Sequence, residues 1–148
     1  MDNIEDLVKK FTCAIISAKN NEKSKLITSL HTFPKGSCGD SSLLLGKYLK
    51  EKGFNPKYIN GAAGKYKKKP IKSHAWLKVN TIIVDITFGQ FNIITLDNNL
   101  DNYSYIGKTN AFYKSFKNPE EKYIDFSKYD KRTADNLEKT YKIIKKYL

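Results

Sequence analysis

Residues 73–88, SHAWLKVNTIIVDITF, can pair with themselves in only one useful way. Two runs of alternating character, 73–79 and 82–88, flank Asn80 and Thr81, which form a turn. A two-residue turn sets 79 against 82, 77 against 84 and 75 against 86. One face then carries Ala75, Leu77, Val79, Ile82, Val84 and Ile86, all of them apolar. A slip of one residue would scatter this set over both faces, so the pattern predicts the register as well as the hairpin. The other face carries His74, Trp76, Lys78, Ile83, Asp85 and Thr87. In that register Asp85 is diagonal to His74, with Cα atoms about 7 to 8 Å apart, within reach of their side chains. A carboxylate so placed can orient an imidazole and steady its cation.

A sheet with one apolar face needs a cover, and the chain supplies helices. Ile4, Leu7, Val8, Phe11, Ile15 and Ala18 recur at helical spacing and predict a helix over 3–18. Cys13 lies inside it and reads as a small buried apolar residue. A short helical piece is predicted at 24–30, then a loop, HTFPKGS, with His31 as a bystander. A second helix is predicted over 39–51, with Leu43, Leu44, Leu45, Tyr48 and Leu49 on its buried face. The last helix, 132–148, carries Leu137, Tyr141, Ile144 and Leu148 on one stripe. FNPKYING reads as a short strand weakened by Pro56. GAAGKYKKKPIK, 61–72, reads as a loop, a further strand is predicted at 91–96, and 97–128 reads as irregular. The expected architecture is one α+β domain over 1–148. In it the second helix packs on an antiparallel sheet, and the C-terminal helix covers an edge or face of that sheet.

Composition excludes several classes. No apolar run is long enough for a membrane span. MDNIEDLVKK lacks the basic start and apolar stretch of a signal peptide, which predicts a cytoplasmic protein and leaves non-classical export open. Cys13, His31, Cys38 and His74 lack zinc-site spacing, and no metal or cofactor is expected. The net charge of +12 invites a nucleic-acid reading. Against it, only Arg132 among 27 basic residues is an arginine, and no RNA-binding aromatic motif or phosphate loop is present. Lys65, Lys67, Lys68, Lys69 and Lys72 run directly into His74. Two readings stay open for them: a solvated linker, or a basic rim that attracts an acidic substrate.

GSCGDSSLLLGKYL, 36–49, sets Cys38 at the mouth of the second helix. Unpaired N–H groups and the positive dipole end there favour the thiolate, the nucleophilic form of cysteine. Gly36 and Gly39 are expected to keep the backbone uncluttered for a substrate carbonyl. The Cys38 amide can help hold a developing oxyanion. Asp40 and Ser41 read as capping residues of the first turn.

FPKGSCGDSSLLLGKYL, HAWLKV and IIVDITF together resemble the papain-like cysteine superfamily, in its transglutaminase-like branch. The resemblance covers about residues 33–91. It implies Cys38 as nucleophile, His74 as general base and Asp85 as orienting acid. The oxyanion-hole glutamine that papain-like proteases place before the cysteine is missing, since 31–33 are His, Thr and Phe. Gln90 is the remaining candidate for that second donor. The implied activity is acyl transfer through a Cys38 thioester, as a peptidase, a protein-glutamine deamidase or a transglutaminase, on a protein or peptide. The alternatives are a non-catalytic protein-binding module on the same fold or a basic nucleic-acid-binding domain.

Overall fold

The computed structural model describes residues 3–91 and 104–148. Helix α1 spans Ile4–Glu22, starts at the Asn3 cap and buries Leu7, Val8, Phe11, Ala14, Ile15 and Ala18. It runs four residues past its predicted end. Two 3-10 turns, Lys23–Lys25 and Thr28–Thr32, replace the helical piece expected at 24–30. Helix α2 spans Cys38–Glu51. Helix α4, Lys131–Lys145, is capped by Asp130 and buries Leu137, Tyr141 and Ile144.

Among the described residues five strands form one antiparallel sheet, in the order β4-β3-β2-β1-β5. They are β1 Pro56–Tyr66, β2 Lys69–Val79, β3 Ile82–Asp85, β4 Tyr105–Lys108 and β5 Lys117–Lys122. The fold is α+β. The β2–β3 register is the one the alternation predicts, with Leu77 opposite Val84 and Val79 opposite Ile82. Ala75, Leu77, Val79, Val84 and Ile86 join one core with the buried faces of α1, α2 and α4. Helix α2 lies on β1 and β2. The C-terminal helix departs from expectation: α4 packs chiefly on α1, α2 and the turn Phe126–Lys128. The stripe of Leu137, Tyr141 and Ile144 is satisfied by other helices, so α4 thickens the helical layer instead of covering the sheet; Leu148, expected on the same stripe, lies past the helix end and is exposed.

Three segments correct the sequence reading. The run 61–72 is no loop but the outer half of a β1–β2 hairpin, turning at Lys67–Lys68, with Tyr66 paired to Lys69. Exposed lysines are compatible with strand backbone, and Gly61 and Gly64 are there for clearance. A Cβ on either would come within 2.7 and 2.5 Å of the Phe116 side chain. The strand expected over 82–88 ends at Asp85, because that side chain accepts from the Thr87 N–H at 3.0 Å and turns the chain. The strand expected at 91–96 lies, except for Phe91, outside the described residues; Phe91 closes a 3-10 turn, Phe88–Phe91. Within 97–128, expected to be irregular, lie β4, β5 and between them the short helix α3, Ala111–Lys114. Asn110 starts α3 by accepting from the Phe112 and Tyr113 N–H groups.

Candidate active site

The second face of the sheet carries a separate cluster. Trp76 and Ile83 pack there with Phe112, Tyr113 and Phe116, against Ile59, Tyr66, Phe88, Phe91 and Tyr105. His74 and Asp85 sit within it, their side chains fully buried. Alternation along β2 and β3 puts both residues on this face, so the burial follows from the register.

Asp85 is saturated with donors. Its Oδ2 accepts from His74 Nε2 at 2.7 Å and from the Tyr113 hydroxyl at 2.7 Å. Its Oδ1 accepts from the Thr87 N–H at 3.0 Å and the Thr87 hydroxyl at 3.2 Å. A buried carboxylate is stable only with such a set of partners. Phe91 approaches the His74 ring edge-on with centroids 4.8 Å apart, and Phe112 lies at 5.8 Å. Burial opposes a charge on this imidazole. The Asp85 carboxylate, by charge and hydrogen bond, and then Cys38 outweigh it and raise the His74 pKa to about 9. Burial and Asp85 push the Tyr113 phenol far above its ordinary value, so it stays a donor.

Cys38 is the first residue of α2, after the Ser37 cap, and is partly buried against the helical core. It is near enough to His74 for the thiol to be one cause of the raised imidazole pKa. His74 Nδ1, the nitrogen not used by Asp85, is buried and closes no hydrogen bond. The fold thus brings together the three residues singled out from the sequence: Asp85 on one ring nitrogen, Cys38 near the ring, and a free nitrogen remaining.

The helix mouth is tied down by short polar links. Ser37 donates to the Pro34 carbonyl, Ser41 donates to Ser37, and Ser29 donates to Asp40. Asp40 and Ser41 therefore anchor the first turn to its neighbours and do not cap it through its own N–H groups. Gly39 has a different purpose from the one expected. A Cβ there would lie 3.1 Å from the Tyr58 hydroxyl, so the missing side chain makes room for Tyr58. Burial pushes that phenol up to about 12. Gln90 reaches across from the Phe88–Phe91 turn. Its Oε1 accepts from the Gly36 N–H at 3.3 Å, which fixes the amide and leaves Nε2 as a buried donor with no acceptor. Gly36 precedes Cys38 by two residues, and Phe91, next to Gln90, walls His74.

His31 lies in the Thr28–Thr32 turn with a buried, unpaired Nε2. Cys13 corrects its sequence reading: it is only partly buried. With Asp6, Lys9, Lys10, Tyr147 and Leu148 it lines a cleft of about 580 Å³ along α1. Sequence reasoning missed Tyr113 and the aromatic wall. The signal was NAFYKSF, 110–116, an Asn cap followed by three aromatics within one turn and a half. No group of three or more His, Cys, Asp or Glu among the described residues could hold a metal ion, and no described helix is long and apolar enough to cross a membrane.

No family model matches the chain, and no curated protein or solved structure matches it either.

Proposed function

We propose that the chain is a thiol enzyme acting at amide carbonyls, with Cys38 as nucleophile, His74 as its acid–base partner and Asp85 as the orienting acid. The observation that carries this reading is the His74–Asp85 pair: a donor-saturated carboxylate holding a buried imidazole charged beside a cysteine at a helix start. A papain- and transglutaminase-like arrangement is part of the same proposal. The helix-start Cys, the His strand and the Asp strand follow in that chain order.

In the proposed cycle His74 holds the Cys38 proton on Nδ1. The thiolate attacks the carbonyl carbon, a C–S bond forms, and the carbonyl oxygen takes up the negative charge. The Cys38 N–H and the unpaired Gln90 Nε2 are the donors offered to that oxygen. As the C–N bond breaks, His74 gives its proton to the leaving amine. Water or a second amine, deprotonated by His74, then attacks the thioester and releases Cys38. Water on a peptide bond makes the enzyme a peptidase. Water on a glutamine side chain makes it a deamidase, and an amine there makes it a transglutaminase.

A peptidyl acyloxymethyl ketone tests the reading. This electrophile modifies catalytic cysteines and reacts poorly with ordinary thiols. Mass spectrometry is expected to find the adduct on Cys38, none on Cys13, and none in the His74→Gln variant. A folded wild-type protein that takes up no probe at Cys38 is a binding module and not an enzyme.

A further inference from the structure

Between Glu51 and Asp85 the chain has eight lysines and no acidic residue. Five of them, Lys65, Lys67, Lys68, Lys69 and Lys72, are exposed on the outer half of the β1–β2 hairpin. Among the described residues none of the five forms an ion pair; Lys67 only lies over the Tyr66 ring, at 5.3 Å. The hairpin tip is joined to the candidate site. Tyr66 packs against Phe112 at 5.7 Å and Phe91 at 6.2 Å, the two rings that also wall His74. The positive charge is therefore held by packing near the aromatic wall and does not wander on a loop.

The turn itself argues against lysine-rich composition as the full explanation. Lys67 and Lys68 both sit at positive φ, 48° and 67°. A tight turn of this kind takes Asn-Gly most easily, and a side-chain-bearing residue pays there in backbone strain. Asparagine is abundant in this chain, and the next hairpin uses it, with Asn80 at φ 55°. At the Lys67–Lys68 turn the chain instead sets two like charges side by side in strained backbone. Such outliers point to function.

We propose that the Lys67–Lys68 hairpin is the docking element for an acidic segment of the polypeptide substrate, a proposal that rests on the thiol-enzyme reading for the word substrate. Recognition is by charge. From Lys69 to Ala75, β2 pairs with β1 only, among the described residues. Lys69, Pro70 and Lys72 on that open edge discourage a further strand. An acidic segment lying along the lysines is led toward His74, which follows Lys72 by two residues. The attraction fades as salt rises.

The test uses Cys38→Ala protein, so that no acyl transfer consumes the probe, and fluorescence anisotropy of a short labelled Glu/Ser peptide. Lys67→Asn/Lys68→Gly should raise the melting temperature, because Asn-Gly suits the turn, and weaken peptide binding roughly tenfold. Neutralising all five hairpin lysines with Gln is expected to remove most of the binding and flatten its salt dependence. The same number of exposed lysines neutralised elsewhere, at Lys10, Lys23, Lys50, Lys139 and Lys142, should leave binding within about twofold, since net charge alone is not the cause. Equal losses in both five-lysine variants overturn the proposal, as does unchanged binding in Lys67→Asn/Lys68→Gly. An oligothymidylate bound more tightly than the peptide through the same hairpin also overturns it, in favour of nucleic acid. Because the thiol is absent, a failed ketone label sinks the enzyme reading without touching these outcomes.

Discussion

The two faces of the sheet differ in kind. Toward the helices, Ala75, Leu77, Val79, Val84 and Ile86 meet a mixed apolar core of aliphatic and aromatic side chains that, among the described residues, holds no ion pair from the strands. Toward the other side, His74 and Asp85 are equally buried but ringed by aromatics and bound to Tyr113 and Thr87. The first face is a device for stability. The second accepts the cost of burying charge, and its His74 is near Cys38, the helix-start cysteine that itself packs against the helical core. Substitutions that separate stability from thiol reactivity therefore sharpen the comparison, and substitutions that fail to do so break it.

Asp85→Ala is expected to have the largest effect. It strips four donors of their acceptor and leaves His74 buried without its counter-charge. Removing one partner of a buried pair costs about 3 to 5 kcal/mol. A thermal melt should show that loss, and Cys38 labelling should vanish with it. Leu77→Ala should lower stability comparably, by about 2 to 5 kcal/mol, because a fully buried side chain leaves a cavity. In this case labelling of the folded fraction should stay at the wild-type rate. If Leu77→Ala also silences Cys38 while still folded, the division between the faces is wrong.

The pH dependence of stability gives an intermediate effect. His74 has its pKa raised from 6.5 to about 9 in the folded protein. A raised pKa on a basic group means that protonation favours the fold. That stabilisation is complete below pH 6.5 and is lost as pH climbs through about 9. Melting temperature should fall across that window in wild type and stay flatter in His74→Gln. Tyr113→Phe should cost about 1.5 to 3 kcal/mol, the range for a hydrogen bond to a charged group. It also removes a donor competing for the Oδ2 that holds His74. The NMR titration of His74 should then move to higher pH, which a merely structural tyrosine would not cause. Cys13→Ala should be the mildest change, at most about 1 kcal/mol, because the thiol is only partly buried.

The same contrast separates what was legible in the sequence from what was not. The aliphatic face was readable because burial on one side imposes a period of two, and that period fixed the β2–β3 register and with it the His74–Asp85 pairing. The helix mouth at Cys38 was readable from its glycines and the apolar run after it. The aromatic face was only half readable. Trp76 and Ile83 appear in the alternation, but Phe112 and Tyr113 come from a four-residue helix too short to show a period, and Phe116 from just past its end. The β1–β2 hairpin was hidden because its turn uses Lys-Lys where the common signal is Asn-Gly, and because glycines that clear space for Phe116 look like loop residues. Gln90 was visible as a residue, but its fixed orientation depends on Gly36, far away in sequence.

The central claim is that His74 and Asp85 exist to activate Cys38, and iodoacetamide tests it with no knowledge of the substrate. The two cysteines are both partly buried, so accessibility alone does not set them apart. The measurement is the alkylation rate of each thiol in native protein near neutral pH, read by peptide mass spectrometry, in wild type and in His74→Gln. The account predicts that Cys38 reacts at least about tenfold faster than Cys13, and that the difference collapses in the variant while Cys13 keeps its rate. Equal rates for the two thiols in wild type, or a Cys38 rate that survives the loss of His74, would contradict it.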